Sequence, residues 1–368
     1  MLELADILRA AGPEVCARVA MRPEQRRALD DILLCRTEAL GGQVFVCTDC
    51  RRPHYSYHSC GNRHCPKCHG QQTEQWLEKQ RRGLLPCAYY LMTFTLPSEL
   101  RALARTHPKA VYGALMSCAA AAIQKLCADP RWLGAQPALM GVLHTWTRAL
   151  LYHPHVHFLV SAGGLSKDGA AWREPKSSRF FLPVHALSKI FRGKMRDALA
   201  KAGLLAAVPT VLWRQKKWVV HAQPAGRGEK VLEYLGRYVF RVAISQSRLE
   251  RLADGQVTFR YRDNRSQQVR RVILPVPDFL KRFCQHVLPQ GLPKVRHYGL
   301  AASACGSRKQ RARELLVPTA HLQQTSARRV REPEPAQQPN LQAMLCPYCQ
   351  QGRLVWLKEL LRQPKKPP

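Results

Sequence analysis

The chain has 368 residues, enough for one large domain or two to three smaller ones, and its 46% hydrophobic content supports a packed core and excludes wholesale disorder. Lysine and arginine number 58 against 25 acidic residues, a net charge of +33 spread along the whole length, so the partner to expect is a polyanion. The opening MLELADILRAAG lacks a secretory pattern, and no stretch approaches the ~18 uninterrupted apolar residues of a membrane helix, so a cytoplasmic location without membrane contact is expected.

Residues 1–42 read as a helical segment, with Leu4, Ile7 and Leu8, then Val15 and Val19, then Leu29, Ile32 and Leu33 at helical spacing and Pro13 and Pro23 as breaks. Residues 43–70 form a cysteine- and histidine-rich module, and residues 71–87 a linker with a polar helix from Gln71 to Arg82. Tyr89–Leu96 is a buried strand by its aromatic and β-branched content, ended by Pro97, and an alanine-rich helix runs from Lys109 to Ala128. Strands are expected over Leu139–Leu150 and His155–Ala162, joined through Tyr152-His153-Pro154. An amphipathic helix follows over Val184–Ala200, a short strand over Lys217–His221 and a helix over Glu229–Ile244. Val257–Arg262 and Gln268–Leu274 pair as a hairpin turning at Asp263-Asn264. From Arg308 to Asn340 the chain is rich in Arg, Gln and Pro and reads as a basic linker. Strands mixed with helices, without strict alternation, make the fold class α+β.

The fourteen cysteines cluster, as metal-binding thiolates in a reducing compartment do and a disulfide framework does not. Cys47 and Cys50 precede Cys65 and Cys68 by fourteen residues, the spacing of a zinc ribbon, in which two tight turns aim four thiolates at one tetrahedral Zn²⁺. His54, His58, Cys60, His64 and His69 lie beside them; Cys60 and His64 are candidates for a further ligand, while others of the group contact phosphate or support the site. In His155-Val156-His157 the strand's alternation puts two imidazoles on one face, able to hold one divalent cation and leave positions open for substrate. Tyr234 and Tyr238 stand four residues apart on a helix, one above the other, with Arg237 and Arg241 alongside to meet a phosphate.

Taken together these elements resemble the IS91 family of rolling-circle transposases. The front His58-Ser59-Cys60-Gly61-Asn62-Arg63-His64-Cys65-Pro66-Lys67-Cys68 is similar to that family's zinc-binding N-terminus, and His155-Val156-His157 to the histidine–hydrophobic–histidine (HUH) strand of its superfamily. The run Tyr234-Leu235-Gly236-Arg237-Tyr238 resembles the paired-tyrosine helix, and the likeness continues through Arg296-His297-Tyr298-Gly299-Leu300 to Cys346-Pro347-Tyr348-Cys349. That last pair has no second CxxC after it, so it either borrows ligands from elsewhere or binds no metal.

The resemblance implies an HUH endonuclease domain over residues 88–250, an antiparallel-rich sheet flanked by helices. An accessory region over 251–307, the basic linker over 308–340 and a CxxC tail over 341–368 would follow it. His155 and His157 would hold Mg²⁺ or Mn²⁺ against the scissile phosphate. Tyr234 or Tyr238 would attack single-stranded DNA at a transposon end to give a 5′-phosphotyrosine, and the protein would be nucleoid-associated. A third metal ligand is expected at His144. If Leu139–Leu150 and His155–Ala162 form a hairpin turning near Leu150, positions summing to about 300 lie opposite each other. His144 then faces His155–His157, whereas Pro154 is expected to leave the competing His153 in the turn. The rival readings are a plasmid replication initiator or relaxase of the same superfamily, and a non-enzymatic zinc-finger protein that binds nucleic acid. Sparse acidic residues argue against an acid-triad transposase.

Overall fold

The computed structural model describes residues 2–177, 181–214, 218–227, 230, 242–263, 266–317 and 344–363. Tyr234, Arg237, Tyr238 and Arg241, in the helix expected over Glu229–Ile244, lie outside them.

Helices α1 (Leu4–Arg18) and α2 (Pro23–Leu34) open the chain. The break expected at Pro13 is present within α1: the helical backbone is interrupted at Gly12 (φ 68°, ψ 173°), a positive φ that glycine takes without strain, and the second helical piece starts at Pro13. Strands β1 (Gly42–Cys47) and β2 (Pro53–Tyr57) form a hairpin, followed by α3 (His69–Gly83), β3 (Ala88–Thr95), the short α4 (Arg101–Thr106) and the long α5 (Pro108–Ala128). Next come β4 (Ala138–Trp146), β5 (Tyr152–Ser161), the two-residue strands β6 (Gly164–Leu165) and β7 (Trp172–Arg173), α6 (Val184–Lys201), α7 (Val211–Arg214) and β8 (Val220–Arg227). A meander of β9 (Leu249–Ala253), β10 (Gln256–Arg262) and β11 (Val269–Pro275) leads to α8 (Val276–Cys284), β12 (Val295–Gly299), α9 (Gly306–Leu316) and β13 (Leu354–Leu360). The fold is α+β.

The central sheet has the order β12-β4-β5-β3-β8 and is antiparallel throughout. On one face Met92, Phe94, Leu139, Leu143, Val156 and Phe158 form a core with residues of α5 and α6, Leu115, Ile123, Phe191 and Met195 among them. By length and composition α5 could cross a membrane, but most of it is buried in this core. Gly141 lies opposite Phe158 in β5, and a Cβ there would come within 2.6 Å of the Phe158 ring, so glycine makes room for the aromatic.

A second core joins the N-terminal helices to the segment around β9–β11 and α8. Leu4, Ile7, Leu29 and Ile32 of α1 and α2 pack with Phe259 of β10 and with Phe279 and Phe283 of α8, across the boundary expected between residues 1–42 and 251–307. A three-stranded sheet, β13-β1-β2, likewise unites residues 341–368 with the 43–70 module.

Three local expectations are corrected. The turn between β4 and β5 falls at Thr147–Leu151, and Tyr152, His153 and Pro154 belong to β5; the register shifts between His144 and Trp146, opposite Pro154, so the proline's missing N–H falls at an irregularity in the ladder. The strand expected at Lys217–His221 begins at Val220 and runs through Pro224, which is tolerated because β8 is the sheet edge. The basic stretch expected to be linker from Arg308 instead starts within α9, built of strong helix formers such as Lys309, Gln310, Arg311 and Ala312.

Candidate metal centres

On the face of the central sheet away from α5 and α6, β4 and β5 bring three imidazoles together. The register pairs His144 with His155 and Val142 with His157, so opposite positions sum to 299 and His144 shares the face of the other two. One ring nitrogen from each of His144, His155 and His157 lies within 4.8 Å of the others. Ring centroids are 5.5 Å apart for His144 and His155, 5.0 Å for His144 and His157, and 4.8 Å for His155 and His157.

Neighbouring groups orient the rings. His155 Nδ1–H donates to the His153 carbonyl at 2.7 Å; since a carbonyl only accepts, the neutral ring keeps its lone pair on Nε2. His157 Nδ1 shares a 2.9 Å hydrogen bond with the Thr93 hydroxyl from the adjacent β3. His144 is stacked on Trp146, with centroids 5.0 Å apart, and Lys294 Nζ lies 5.3 Å from the centroid of the same Trp146 ring. Burial pushes His155 down to about 4 and His157 to about 3, so both are neutral, as metal ligands must be, across the physiological range. His153 alternates in phase with His155 and stays in the strand, but its Nδ1 accepts from the Arg101 guanidinium at 3.0 Å and it is not among the three clustered rings.

The three rings open into a cleft of about 390 Å³ whose rim carries Thr95, Arg148 and Arg248. A larger cavity of about 630 Å³ borders the same face further along, beside Met140 and Leu159, lined by Lys79, Arg296, His297 and Lys309. Tyr298 pairs with Leu139 in the register and packs 5.9 Å from Phe158, placing it with the helix-covered face and away from the histidines.

The cysteines correct the sequence expectation. Cys47, Cys50, Cys65 and Cys68 do not share one site. Cys65 and Cys68 gather with Cys35 and Cys60, and Cys47 and Cys50 gather with Cys346 and Cys349, each set with its four sulfurs within 4.8 Å of one another. The hairpin explains the separation: Cys47 and Cys50 sit at its tip, whereas the chain returns along β2 before reaching Cys60, a strand of about 17 Å by the rise per residue. In the first set Cys68 Sγ lies 3.5 Å from both Cys35 and Cys60. Hydrogen bonds from the neighbouring thiols, Cys60 first, push Cys35 far below the usual thiol value. Four sulfurs about 2.3 Å from a tetrahedral zinc would lie about 3.8 Å apart, so this donor set fits the ion, and 3.5 Å is far longer than the roughly 2.05 Å of a disulfide. Cys35 carries no sequence signal, because it stands alone after α2, outside any CxxC pair.

The residues between Cys60 and Cys65 dock the module. Arg63 donates to the carbonyls of Leu288, Pro289 and Leu292, at 2.6 to 3.3 Å, just before β12. His64 accepts the Leu288 N–H at 3.3 Å and is not in the thiol cluster, so it is a docking residue in place of the possible zinc ligand expected. Asn62 bridges the Asp31 carboxylate and the His64 N–H.

Residues 139–310 match a family model described as a putative transposase, and residues 7–96 one described as a transposase zinc-binding domain. A putative transposase of Sinorhizobium fredii is 37% identical over 380 residues, spanning 97% of this chain and 95% of that protein. The transposase for insertion sequence element IS801 of Pseudomonas savastanoi pv. phaseolicola is 31% identical over 309 residues, 78% of this chain and 72% of that protein. No solved structure matches.

Proposed function

The chain belongs to the IS91 family of insertion-sequence transposases, and from that premise we propose that it cuts and rejoins single-stranded DNA at transposon ends through a 5′-phosphotyrosine, in rolling-circle transposition. The observation that carries this reading is the cluster of His144, His155 and His157, oriented from behind and opening into an arginine-rimmed cleft. The catalytic unit is then an HUH endonuclease domain built on the five-stranded sheet.

The three imidazoles suit a divalent cation, and by donor type and affinity order Mn²⁺ should bind more tightly than Mg²⁺. When bound, the cation supplies charge neutralisation at the scissile phosphate. His144, His155 and His157 would hold it, and Arg148 and Arg248 offer guanidinium groups to the flanking phosphates; Arg237 and Arg241, near Tyr234 and Tyr238 in sequence, would add to them. Tyr234 or Tyr238 attacks: its Oη–P bond forms as the P–O3′ bond breaks, and the phenolic proton ends on the released 3′-hydroxyl. Rejoining reverses the step with a 3′-hydroxyl of another strand, so the bond energy is conserved and no nucleotide is hydrolysed. Two phenols four residues apart in sequence would allow two 5′ ends to be held in turn. Structural Zn²⁺ at Cys35, Cys60, Cys65 and Cys68, a closed four-thiolate site, would fix the N-terminal module while doing no chemistry.

The test is incubation with single-stranded oligonucleotides carrying candidate ends and Mn²⁺, followed by denaturing gels. The wild type should give SDS-resistant protein–DNA adducts, and Tyr234→Phe/Tyr238→Phe should bind DNA without forming any. Adducts from the double variant would place the nucleophile elsewhere. Binding without adducts in the wild type under every divalent cation would favour the non-enzymatic reading.

A further inference from the structure

The second thiol set has no counterpart in the reading of residues 43–70 as a self-contained ribbon. Two of its members, Cys47 and Cys50, lie at the tip of the β1–β2 hairpin, and the other two, Cys346 and Cys349, come from the opposite end of the chain. Cys47 Sγ is 3.6 Å from Cys349 Sγ, and Cys50 Sγ is 3.7 Å from Cys346 Sγ. These are the edge lengths of a tetrahedron of sulfurs around a zinc ion, about 3.8 Å for Zn–S of about 2.3 Å.

The two contributing turns are built alike. In each, the residue after the second cysteine takes a left-handed backbone: Arg51 (φ 58°) after Cys50 and Gln350 (φ 57°) after Cys349. The N–H of each first cysteine is tied across its own turn, Cys47 to the Arg52 carbonyl at 3.2 Å and Cys346 to the Gly352 carbonyl at 2.8 Å. A backbone donor also meets sulfur, from Gly352 N–H to Cys349 Sγ at 3.4 Å. The turns interlock, because Thr48 N–H donates to the Arg353 carbonyl and Arg353 N–H to the Thr48 hydroxyl, both at 3.0 Å. Strand β13 then pairs with β1 from Cys47↔Leu354 to Gly42↔Leu360, so the C-terminal segment completes the sheet that carries the N-terminal pair. Gly352 is required at the crossing, since a Cβ there would sit 2.5 Å from Cys47 Sγ. Four thiolates around Zn²⁺ carry a net charge of −2, and Arg51, Arg52 and Arg353 supply nearby positive charge.

We propose that Cys47, Cys50, Cys346 and Cys349 form a second structural zinc site, separate from Cys35/Cys60/Cys65/Cys68, that clips the C-terminal segment to the N-terminal module. The metal closes the chain on itself, and its ligands come in two pairs from opposite ends. Losing either pair therefore abolishes the same site.

Zinc content of the purified full-length protein, by inductively coupled plasma mass spectrometry, reads this directly. With the histidine site removed by His155→Ala/His157→Ala in every protein compared, the chain with all its cysteines should hold two equivalents. Cys346→Ser/Cys349→Ser and Cys47→Ser/Cys50→Ser should each hold one, and the variant combining all four changes should still hold one. Two equivalents in Cys346→Ser/Cys349→Ser would overturn the proposal, as would one equivalent in the chain with all its cysteines together with a disulfide between these cysteines on mass mapping. A serine variant that fails to fold is covered by Cys349→His, which keeps a donor. After Co²⁺ substitution it should hold two equivalents, with reduced thiolate charge-transfer absorption and shifted d–d bands. An unchanged cobalt spectrum would show that Cys349 is not a ligand and end the idea.

Discussion

His155 can offer the cleft only Nε2, because the His153 carbonyl accepts the proton on Nδ1, and the Thr93 hydroxyl holds the His157 ring through a hydrogen bond with its Nδ1. Removing the second of these orienting groups should show in the metal before it shows in the fold. Thr93→Ala should weaken Mn²⁺ binding roughly 10- to 100-fold by calorimetry, and Thr93→Ser should restore it. Equal Mn²⁺ affinity in Thr93→Ala would mean that His157 is held by packing alone. His144→Ala should lower Mn²⁺ affinity and adduct formation together while metal-free DNA binding stays near wild type; adduct formation at the wild-type rate would remove His144 from the site. Buried His286, on the Thr145 hydroxyl and the Leu150 carbonyl, supplies a pH prediction. Burial pushes its pKa from 6.5 down to about 4. The unfolded chain takes up this proton as pH falls below 6.5 and the folded chain does not until about 4, so stability is lost across that window and is unaffected by this group above it. The loss should reach on the order of 3 kcal/mol. Urea midpoints at pH 7 and pH 4.5 should converge in His286→Gln relative to wild type; identical pH slopes would refute the assignment.

At the scale of elements, the β4–β5 hairpin does two jobs with opposite faces. His144, His155 and His157 stand on one side while Leu143, Val156 and Phe158 fill the core on the other. A slip of one residue would exchange the two sets, so the core itself enforces the alignment of the three histidines. Gly141→Ala tests that coupling. Its Cβ would meet the Phe158 ring at 2.6 Å, and displacing a buried ring in a close-packed core should cost about 1–3 kcal/mol in urea unfolding. An unchanged unfolding midpoint would show that the ring has room to move.

For the molecule as a whole, a net charge of +33 has to be met by a polyanion. The arginines at the histidine cleft and Lys79, His297 and Lys309 of the neighbouring cavity border one sheet face, which offers a track for a single strand. Binding of single-stranded oligonucleotides should weaken with salt along a log–log slope of about −0.7 per neutralised phosphate. A flat salt dependence would show that the charge excess serves another purpose.

Much of this was legible from the residues because it is local. Alternation along His155-Val156-His157 determines that two imidazoles share a face, and the histidine positions plus a turn near Leu150 placed His144 opposite them within one residue of the observed register. Each CxxC pair likewise determines that two thiolates converge on one point. Which pairs meet is a different kind of fact. Cys47 and Cys50 join cysteines 296 to 302 positions away in sequence, and Cys65 and Cys68 join the lone Cys35, because a strand's length separates the tip of the β1–β2 hairpin from its base. Local periodicity carries no information about such partners. They are selected by sheet pairing between β1 and β13 and by packing of α1 and α2 against α8, which exist only once segments distant in sequence have met.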